Sequence, residues 1–275
     1  METTIAINGL RHTYKLYHIT DLHLTGMGEN DPQFRHDEAA LRARCIFETD
    51  GTPCVKRLQG FYADARQWGA DLMLMTGDIV DTPSDPNVQN LYREACAGGP
   101  GTMFVIGNHD WSYSDDYHTE GARAQHYQKF AALSDGAVAR HYLEYPDLIV
   151  AGIDDGMECV QQEDIDFLKA LKEKGKPILL CVHIPINCPS LHDDTVRDWR
   201  RNINIGPGAI LKNEATAAFC EYVRDPASGI AAIIAGHLHF SHEDELAPGL
   251  VQYITGGAYL GISRKITLIP ANPCD

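Results

Sequence analysis

The sequence predicts an α/β fold in which helices cover β-sheets, and two observations support this prediction. Short apolar runs, rich in Val, Ile, Leu and Tyr and bounded by Gly, Asp or Pro, alternate along the chain with segments of helical pattern. Such alternation is typical of layered α/β architecture. A chain of 275 residues with 44% hydrophobic residues also suffices for one sizeable core, so we expect a single domain over residues 1–275.

Nine segments have the length and composition of strands. The seven clearest runs cover residues 14–20, 71–76, 102–106, 148–153, 177–182, 230–235 and 250–255. Two further segments, 3–10 and 137–145, are interpreted as additional strands in hairpins.

Five segments predict helices, at 53–68, 87–97, 121–133, 163–174 and 213–224. In the fourth, Ile165, Leu168 and Leu171 recur at three-residue steps on one face. Two polar stretches, from residue 25 to about 35 and from 187 to about 211, fit neither pattern. Because loops of this length are usually functional or mobile, we interpret 187–211 as a lid insertion.

Polar side chains that bind metals or move protons follow five of the predicted strands. The strand ends read Asp21-Leu22-His23, Gly77-Asp78, Gly107-Asn108-His109-Asp110, His183 and Gly236-His237-Leu238-His239. Ligands bind at the carboxyl ends of strands in open α/β sheets, so these ends could converge on one site. Each element is weak evidence alone, but five of them in one order predict a dinuclear metal site.

The spacing within the motifs has a physical interpretation. Asp21 and His23 are two residues apart, as are His237 and His239, and in an extended segment such residues point to the same side. We expect the glycines that precede three of the motifs to let the backbone turn sharply. A ligand set of Asp, Asn and His, without a thiolate, suits zinc, iron or manganese.

This ordered set of motifs resembles the calcineurin-like metallophosphoesterase superfamily. The resemblance implies a four-layer α/β/β/α sandwich and two divalent or trivalent metal ions, with Mn, Fe or Zn as candidates. Transferred position by position, it implies one metal bound by Asp21, His23 and His239, a second bound by Asn108, His183 and His237, and Asp78 bridging both. It also implies that His109 acts near the leaving group as general acid or transition-state stabiliser, with Asp110 orienting it.

Departures from the patterns of individual branches narrow the resemblance. Segment 77–82 lacks the arginine that follows Gly-Asp in protein Ser/Thr phosphatases, and Asp110 stands where those enzymes have Glu. Purple acid phosphatases carry a tyrosine ligand and no histidine at the position of His23. The sequence is more similar to class III cyclic-nucleotide phosphodiesterases and their small bacterial relatives.

The resemblance implies hydrolysis of a phosphodiester or phosphomonoester of a small molecule, such as a nucleotide or cyclic nucleotide, by a hydroxide that bridges the metals. Trp111 is a candidate for stacking on a nucleobase, although it could instead pack its own loop. Arg197, Arg200 and Arg201 are candidates for contacting phosphate from the lid, although they could instead form a solvated charged face.

The formal net charge of -15 disfavours extensive nucleic-acid binding, so we expect a small phosphorylated substrate. A nuclease or a phospholipid-headgroup hydrolase would need a basic or apolar surface beside the site. A non-catalytic scaffold would have lost metal ligands, and none is missing here. Segment 1–13 has no signal-peptide pattern and no stretch reaches membrane-spanning length, which predicts a cytoplasmic protein whose eight scattered cysteines are reduced.

Overall fold

The computed structural model describes residues 1–271, so that Cys274 lies outside the described residues. Its strands are β1 (Glu2–Ile7), β2 (Tyr14–Ile19), β3 (Leu72–Thr76), β4 (Gly101–Val105), β5 (Arg140–Glu144), β6 (Ile149–Ile153), β7 (Ile178–Cys181), β8 (Ile230–Ala235), β9 (His242–Ala247), β10 (Leu250–Ile254) and β11 (Arg264–Pro270). Its α-helices are α1 (Gln33–Arg42), α2 (Cys54–Trp68), α3 (Asp85–Cys96), α4 (Glu120–His126), α5 (Gln162–Lys172), α6 (Pro189–Trp199) and α7 (Glu214–Arg224).

The strands form two sheets, of order β1-β11-β2-β3-β4 and β5-β6-β7-β8-β10-β9. Strands β2, β3 and β4 run parallel, as do β6, β7, β8 and β10. Strand β11 lies between β1 and β2 and is antiparallel to β2. The carboxyl ends of the central parallel strands therefore lie at one edge of each sheet, where ligand sites are expected.

Alternate side chains along β3 point into two different layers of the core. Leu72 and Leu74 pack between the two sheets, with Val150 and Ile234 of the second sheet. The intervening methionines of β3 pack instead against helices α2 and α3 on the outer face. A third cluster lies between the second sheet and helices α5, α6 and α7. Three layers of core separate four layers of structure, so the predicted α/β/β/α sandwich is confirmed.

The five predicted helices and nine predicted strands are present, with shifted ends. The segment 121–133 is not one α-helix, because α4 gives way to a 3-10 helix at Tyr127–Leu133. The hairpin prediction is right for β5, which pairs antiparallel with β6. It is wrong for β1, which pairs parallel with β11 from the far end of the chain.

Four elements were not predicted: three lack a periodic apolar face, and the fourth, β11, has only a short alternating pattern. Helix α1, which continues into a π-helix at Ala43–Phe47, buries only Ala39 along its own length. Helix α6 lies within the stretch 187–211 and buries only Leu191 and Thr195. Strand β9 is polar and sits at a sheet edge, and β11 alternates charged or polar with apolar residues. No helix within the described residues is long and apolar enough to cross a membrane.

Candidate metal centre

The five predicted motifs meet at the carboxyl ends of β2, β3, β4, β7 and β8. Backbone hydrogen bonds join their loops: Asp21 N–H donates to the Gly77 carbonyl at 3.0 Å, and Gly236 N–H donates to the His183 carbonyl at 3.0 Å. His109 N–H donates to Asp78 Oδ1 at 2.8 Å. Motifs that are far apart in sequence are thus held in one rigid edge of the sandwich.

A first cluster consists of Asp21, His23 and His239, whose ligand atoms all lie within 4.8 Å of one another. The two Nε2 atoms of His23 and His239 are 3.3 Å apart. Asp21 Oδ1 lies 3.4 Å from His239 Nε2. This is the set that the family resemblance assigns to one metal ion.

A second cluster consists of Asp78, His183 and His237, again with ligand atoms within 4.8 Å of one another. His183 Nε2 lies 3.3 Å from Asp78 Oδ2 and 3.2 Å from His237 Nδ1. Asn108 Oδ1 joins the same group, 3.1 Å from His183 Nε2. The seven residues named from the sequence therefore fall into the two expected groups, while their binding of metal stays a prediction.

A third group of nearby ligand atoms connects the two clusters. It consists of His23, Asp78 and His109, within the same 4.8 Å limit. Asp78 thus belongs to two of the three groups, as a carboxylate that bridges two ions would. The grouping also brings His109 within reach of metal, although the sequence predicts it as a proton donor.

The donors present fit a metal ion. Asp21 Oδ1 is buried and has no hydrogen-bond partner among the described residues. A buried carboxylate oxygen without a partner is costly unless a cation satisfies it. Carboxylate, amide and imidazole donors, without a thiolate, suit zinc, iron or manganese.

The backbone at the ligands is left-handed, which corrects the extended conformation inferred from the two-residue spacing. Values of φ are +52° at Asp21, +53° at His23, +53° at Asp78, +71° at His237 and +61° at His239. Non-glycine residues rarely adopt such values, and each costs about 1–3 kcal/mol unless the surroundings enforce it. Both pairs of ligands do point into one site, but through tight turns.

Glycines serve two different purposes beside these turns. Gly77 has a φ of +85° and turns the chain sharply before Asp78, as expected. Gly236 instead permits close approach, since a Cβ there would lie 1.9 Å from Thr20 Oγ1 and 2.8 Å from Asp21 Oδ2. The loops of β2 and β8 could not meet with a side chain in that position.

Hydrogen bonds from the Nδ1 atoms orient two imidazoles so that their Nε2 atoms face the clusters. His23 Nδ1 lies 3.0 Å from Asp81 Oδ1, and His183 Nδ1 lies 2.7 Å from the Thr76 carbonyl oxygen. Both acceptors require a proton on Nδ1, so Nε2 is left free for a metal. Asp81 is itself held by Arg42, whose Nε and Nη2 donate to its two oxygens at 2.6 Å each.

Asp110 does not orient His109, contrary to expectation. Its Oδ2 accepts from the backbone N–H groups of Asp78 at 2.9 Å and Gly107 at 2.7 Å, and its Oδ1 accepts from a third backbone N–H in the same loop. The carboxylate beside the His109 ring is Asp81, at 3.5 Å from Nδ1. Asp110 therefore ties two motif loops together. Asp81, and not Asp110, is the carboxylate that lies beside the His109 ring.

The charges of the site are strongly coupled. Burial lowers the pKa of His183, but the neighbouring Asp78 carboxylate outweighs burial and raises that pKa to about 10. Burial, with the charge of His183, lowers the pKa of His237 to about 3. Burial raises the pKa of Asp21, whereas the His239 ring lowers it, to about 2 in balance. The lowered pKa values of Asp21 and Asp78 keep these two carboxylates ionised, which favours a bound cation.

Two of the predicted substrate contacts are wrong. Trp111 is fully buried in the core beneath the first sheet, where it packs its own loop. Its ring therefore cannot stack on a nucleobase. Arg197 is 63% exposed and pairs with Asp194 at 2.6 Å and Asp198 at 2.8 Å, so it belongs to the solvated face of α6.

The other two arginines differ in position. Arg201 lines a cleft of about 290 Å³ together with Asp78, Asn108 and His237. Arg200 is exposed at the end of α6, with a φ of +61°, and is not among the residues that line this cleft. Only Arg201 is therefore placed to meet a substrate, and its contact with phosphate stays a prediction.

Three residues that support the site were not identified from the sequence. These are Asp81 and Arg42, described above, and Tyr117, whose hydroxyl accepts from Asn108 Nδ2 at 2.7 Å. That bond orients the amide so that Asn108 Oδ1 faces the second cluster. Asp81 follows Asp78 by three residues and could have been suspected. Arg42 and Tyr117 lie in segments without a recognisable pattern.

Comparison with known proteins agrees with the geometry. A family model described as calcineurin-like phosphoesterase matches residues 14–241. A dimetal phosphatase from Danio rerio has a TM-score of 0.56 at 11% identity, with 90% of this chain and 88% of that chain covered. A purple acid phosphatase from yellow lupin (Lupinus luteus) seeds has a TM-score of 0.55 at 10% identity, with 91% of this chain and 45% of that chain covered. At these identities the likeness concerns the fold. No curated protein matches the sequence.

Proposed function

Because the chain belongs to the calcineurin-like phosphoesterase family, we propose that it hydrolyses a phosphodiester or phosphomonoester of a small molecule, such as a nucleotide or a cyclic nucleotide. Family membership makes the chain a phosphoric ester hydrolase. The identity of the ester is what we propose. We further propose manganese, iron or zinc as its metals and the cytoplasm as its location. The net charge of -15 supports a small substrate over a nucleic acid.

One observation carries the proposal: the two clusters of ligand atoms each contribute residues to the cleft that His109 lines, and Asp78 also belongs to the group that connects them. Metal ions bound there would supply Lewis acidity, which lowers the pKa of water and neutralises phosphoryl oxygens. The side chains that hold them are Asp21, His23, Asp78, Asn108, His183, His237 and His239.

The protein's own contribution to the chemistry centres on His109. Its side chain is 23% exposed and lines the cleft, so it can reach the oxygen of a departing alcohol. Asp81 can hold the imidazole from behind at Nδ1, which leaves Nε2 for proton transfer. Arg201 lines the same cleft and can contact the phosphoryl group.

Metal analysis combined with a panel of chromogenic mono- and diesters tests the proposal. We expect two metal ions per chain, and hydrolysis of at least one ester with manganese, iron or zinc. His242→Ala is a matched control, because His242 is an imidazole outside the clusters and should leave metal content unchanged. Absence of hydrolysis with every metal would favour a non-catalytic scaffold instead.

The role of His109 has a separate test. His109→Ala should keep both metals and lose about 10²–10⁴-fold in turnover on an alkyl phosphate ester, the usual contribution of a general acid. The loss should be much smaller on a 4-nitrophenyl ester, whose leaving group needs no proton. If the variant instead loses metal, His109 is a ligand, as its grouping with His23 and Asp78 allows.

A second candidate is hydrolysis of a phospholipid headgroup, favoured by apolar side chains beside the first cluster. Ile46 and Trp199, which are 42% and 38% exposed, line a cavity with His23 and His239. Turnover of phospholipid in vesicles would support this candidate over a water-soluble ester. Hydrolysis of soluble esters alone would exclude it.

A further inference from the structure

A second cavity, of about 260 Å³, lies beside the metal cleft and shares His109 and Tyr117 with it. Its volume is near the lower end for small-molecule pockets, which hold roughly 300–1,000 Å³. The cavity and the cleft therefore adjoin at His109 and Tyr117. A group that leaves the phosphorus atom on this side of His109 would meet the cavity wall.

Helix α1 forms one wall of this cavity. Arg35, Glu38, Ala39 and Arg42 line it, and their spacing of three and four residues places them on one face of the helix. The helix has no extensive apolar contact of its own, since Ala39 is its only buried residue. Its position is better explained by the cavity that it lines than by a contribution to the core.

The arginines along the cavity wall are already paired with carboxylates. Arg35 donates to Asp115 at 3.0 and 2.8 Å and stacks over the Tyr113 ring, with its guanidinium carbon 3.6 Å from the centroid. Arg42 is held by both oxygens of Asp81. Glu38 has no such cationic partner within the described residues and accepts from a serine hydroxyl. The wall thus offers no unpaired guanidinium for an anionic group.

The cavity does offer contacts for an uncharged group. Tyr117 is 43% exposed and lines both the cleft and the cavity. Met27 and Ala39 add apolar surface to the same cavity. An aromatic ring with apolar side chains beside it is suited to a partly apolar group.

We propose that this cavity binds the alcohol portion of the substrate and selects a partly apolar leaving group that carries no negative charge. In the reaction the water oxygen forms a P–O bond and releases a proton to solvent, and the P–O bond to the alcohol breaks. His109 gives a proton to the alcohol oxygen and regains one from solvent. The alcohol is then released into the cavity that His109 lines. The inference rests on the proposed function, because it assumes that His109 faces the leaving group.

Equilibrium binding of phosphonates tests the inference without turnover. Benzylphosphonate carries a ring in the leaving-group position and is not hydrolysed, whereas methylphosphonate and inorganic phosphate lack the ring. Ala39→Phe fills the cavity, and Ala40→Phe places the same ring on the exposed side of α1. In the metal-loaded protein, calorimetry should show that only Ala39→Phe weakens benzylphosphonate binding, by tenfold or more. Phosphate and methylphosphonate should bind both variants within about twofold of the original protein.

Further variants keep the test decisive. If Ala39→Phe does not fold, Met27→Trp fills the same cavity from a loop. The charge preference is tested with 4-carboxybenzylphosphonate, whose carboxylate should be repelled by Glu38, so that it binds more weakly than benzylphosphonate. Glu38→Gln removes the negative charge of the wall and should reduce the difference in affinity between the two ligands several-fold. Equal binding of 4-carboxybenzylphosphonate and benzylphosphonate would overturn the exclusion of negatively charged groups.

The two proposals fail in distinguishable ways. If Ala39→Phe and Met27→Trp both leave the affinity for benzylphosphonate unchanged, the cavity does not bind the leaving group. This conclusion holds even if esters are hydrolysed. Absence of hydrolysis with every metal, while benzylphosphonate binding remains sensitive to Ala39→Phe, overturns the proposed function and leaves the cavity as a binding site for partly apolar groups.

Discussion

Individual residues at the metal centre are held in conformations that local preference opposes. Asp21, His23 and Asp78 are left-handed without being glycine. Hydrogen bonds between the loops stabilise these turns, including the one from His23 N–H to the Asp78 carbonyl at 3.0 Å. Strained backbone of this kind is typical of functional sites. The ligands are therefore positioned by the surrounding loops before any cation binds.

Three Asp→Asn substitutions should separate a bridging ligand from a supporting carboxylate. Asp78→Asn should lose both metals, because Asp78 belongs to two groups of ligand atoms. Asp81→Asn should lower metal affinity about 10–100-fold, since it supports His23 through one hydrogen bond. Asp166→Asn, on the exposed face of α5, should change nothing. Elemental analysis after dialysis against graded chelator measures all three. Full retention of metal by Asp78→Asn would contradict its bridging role.

Asp147 illustrates a residue that stabilises the fold away from the site. It lies in the turn between β5 and β6 and accepts from the Tyr14 hydroxyl and from the backbone N–H groups of Arg11 and His12. Burial raises the pKa of Asp147, but these hydrogen bonds outweigh burial and lower it to about 2. The ionised side chain thus ties the loop before β2 to the second sheet.

Asp147→Asn should destabilise the protein by about 1–3 kcal/mol near neutral pH, the cost of impairing buried hydrogen bonds to a charged group. Because the folded pKa is lowered, the stabilisation is present above the unfolded pKa of about 3.9 and is lost as pH falls through about 2. Denaturant unfolding at several pH values should show the difference from the original protein shrinking below about pH 4. A difference independent of pH would contradict this origin.

At the scale of elements, α6 is attached to the metal centre through its last residue. Trp199 Nε1 donates to the Leu238 carbonyl at 2.9 Å, between His237 and His239 in the chain. The Trp199 ring also meets the His239 ring edge-on, with centroids 5.2 Å apart. The stretch predicted as a lid therefore contains a helix that supports one ligand loop, and its movement as a lid stays a prediction.

Trp199→Phe should show what that hydrogen bond contributes. The variant keeps an aromatic ring but loses the donor to Leu238, so we expect metal affinity at the His239 cluster to fall several-fold. Val196→Ala, at another exposed position of α6, is the control. Chelator titration followed by elemental analysis is the measurement. Unchanged affinity in Trp199→Phe would show that the ligand loop is rigid without α6.

At the scale of the whole molecule, stability depends on the layer between the two sheets. Leu74 is fully buried there, whereas Leu211 is 48% exposed. Leu74→Ala should therefore cost about 2–5 kcal/mol, and Leu211→Ala should stay within about 0.5 kcal/mol. Denaturant unfolding of the metal-loaded protein measures both. A similar small effect for both variants would mean that the sheets are not closely packed.

The sequence by itself determined the class of fold and the candidate ligands that gather at one site. Each motif follows an apolar run that forms a strand, and the order of the motifs is informative without knowledge of contacts. The candidate metal ligands from Asp21 to His239 could be named for this reason. The polar segments 33–42 and 189–199 could not be recognised as helices, since few of their residues enter a core.

Only the tertiary structure decided how those ligands are supported and what surrounds them. The partner of His23 is Asp81, which is 58 residues away, and Asp81 in turn depends on Arg42 in a helix that had no signature. Burial of Trp111 and the cavity beside His109 likewise arise from segments that meet only in the folded chain. Local pattern specifies which groups are present, whereas contacts between distant segments specify their orientation, protonation and access to substrate.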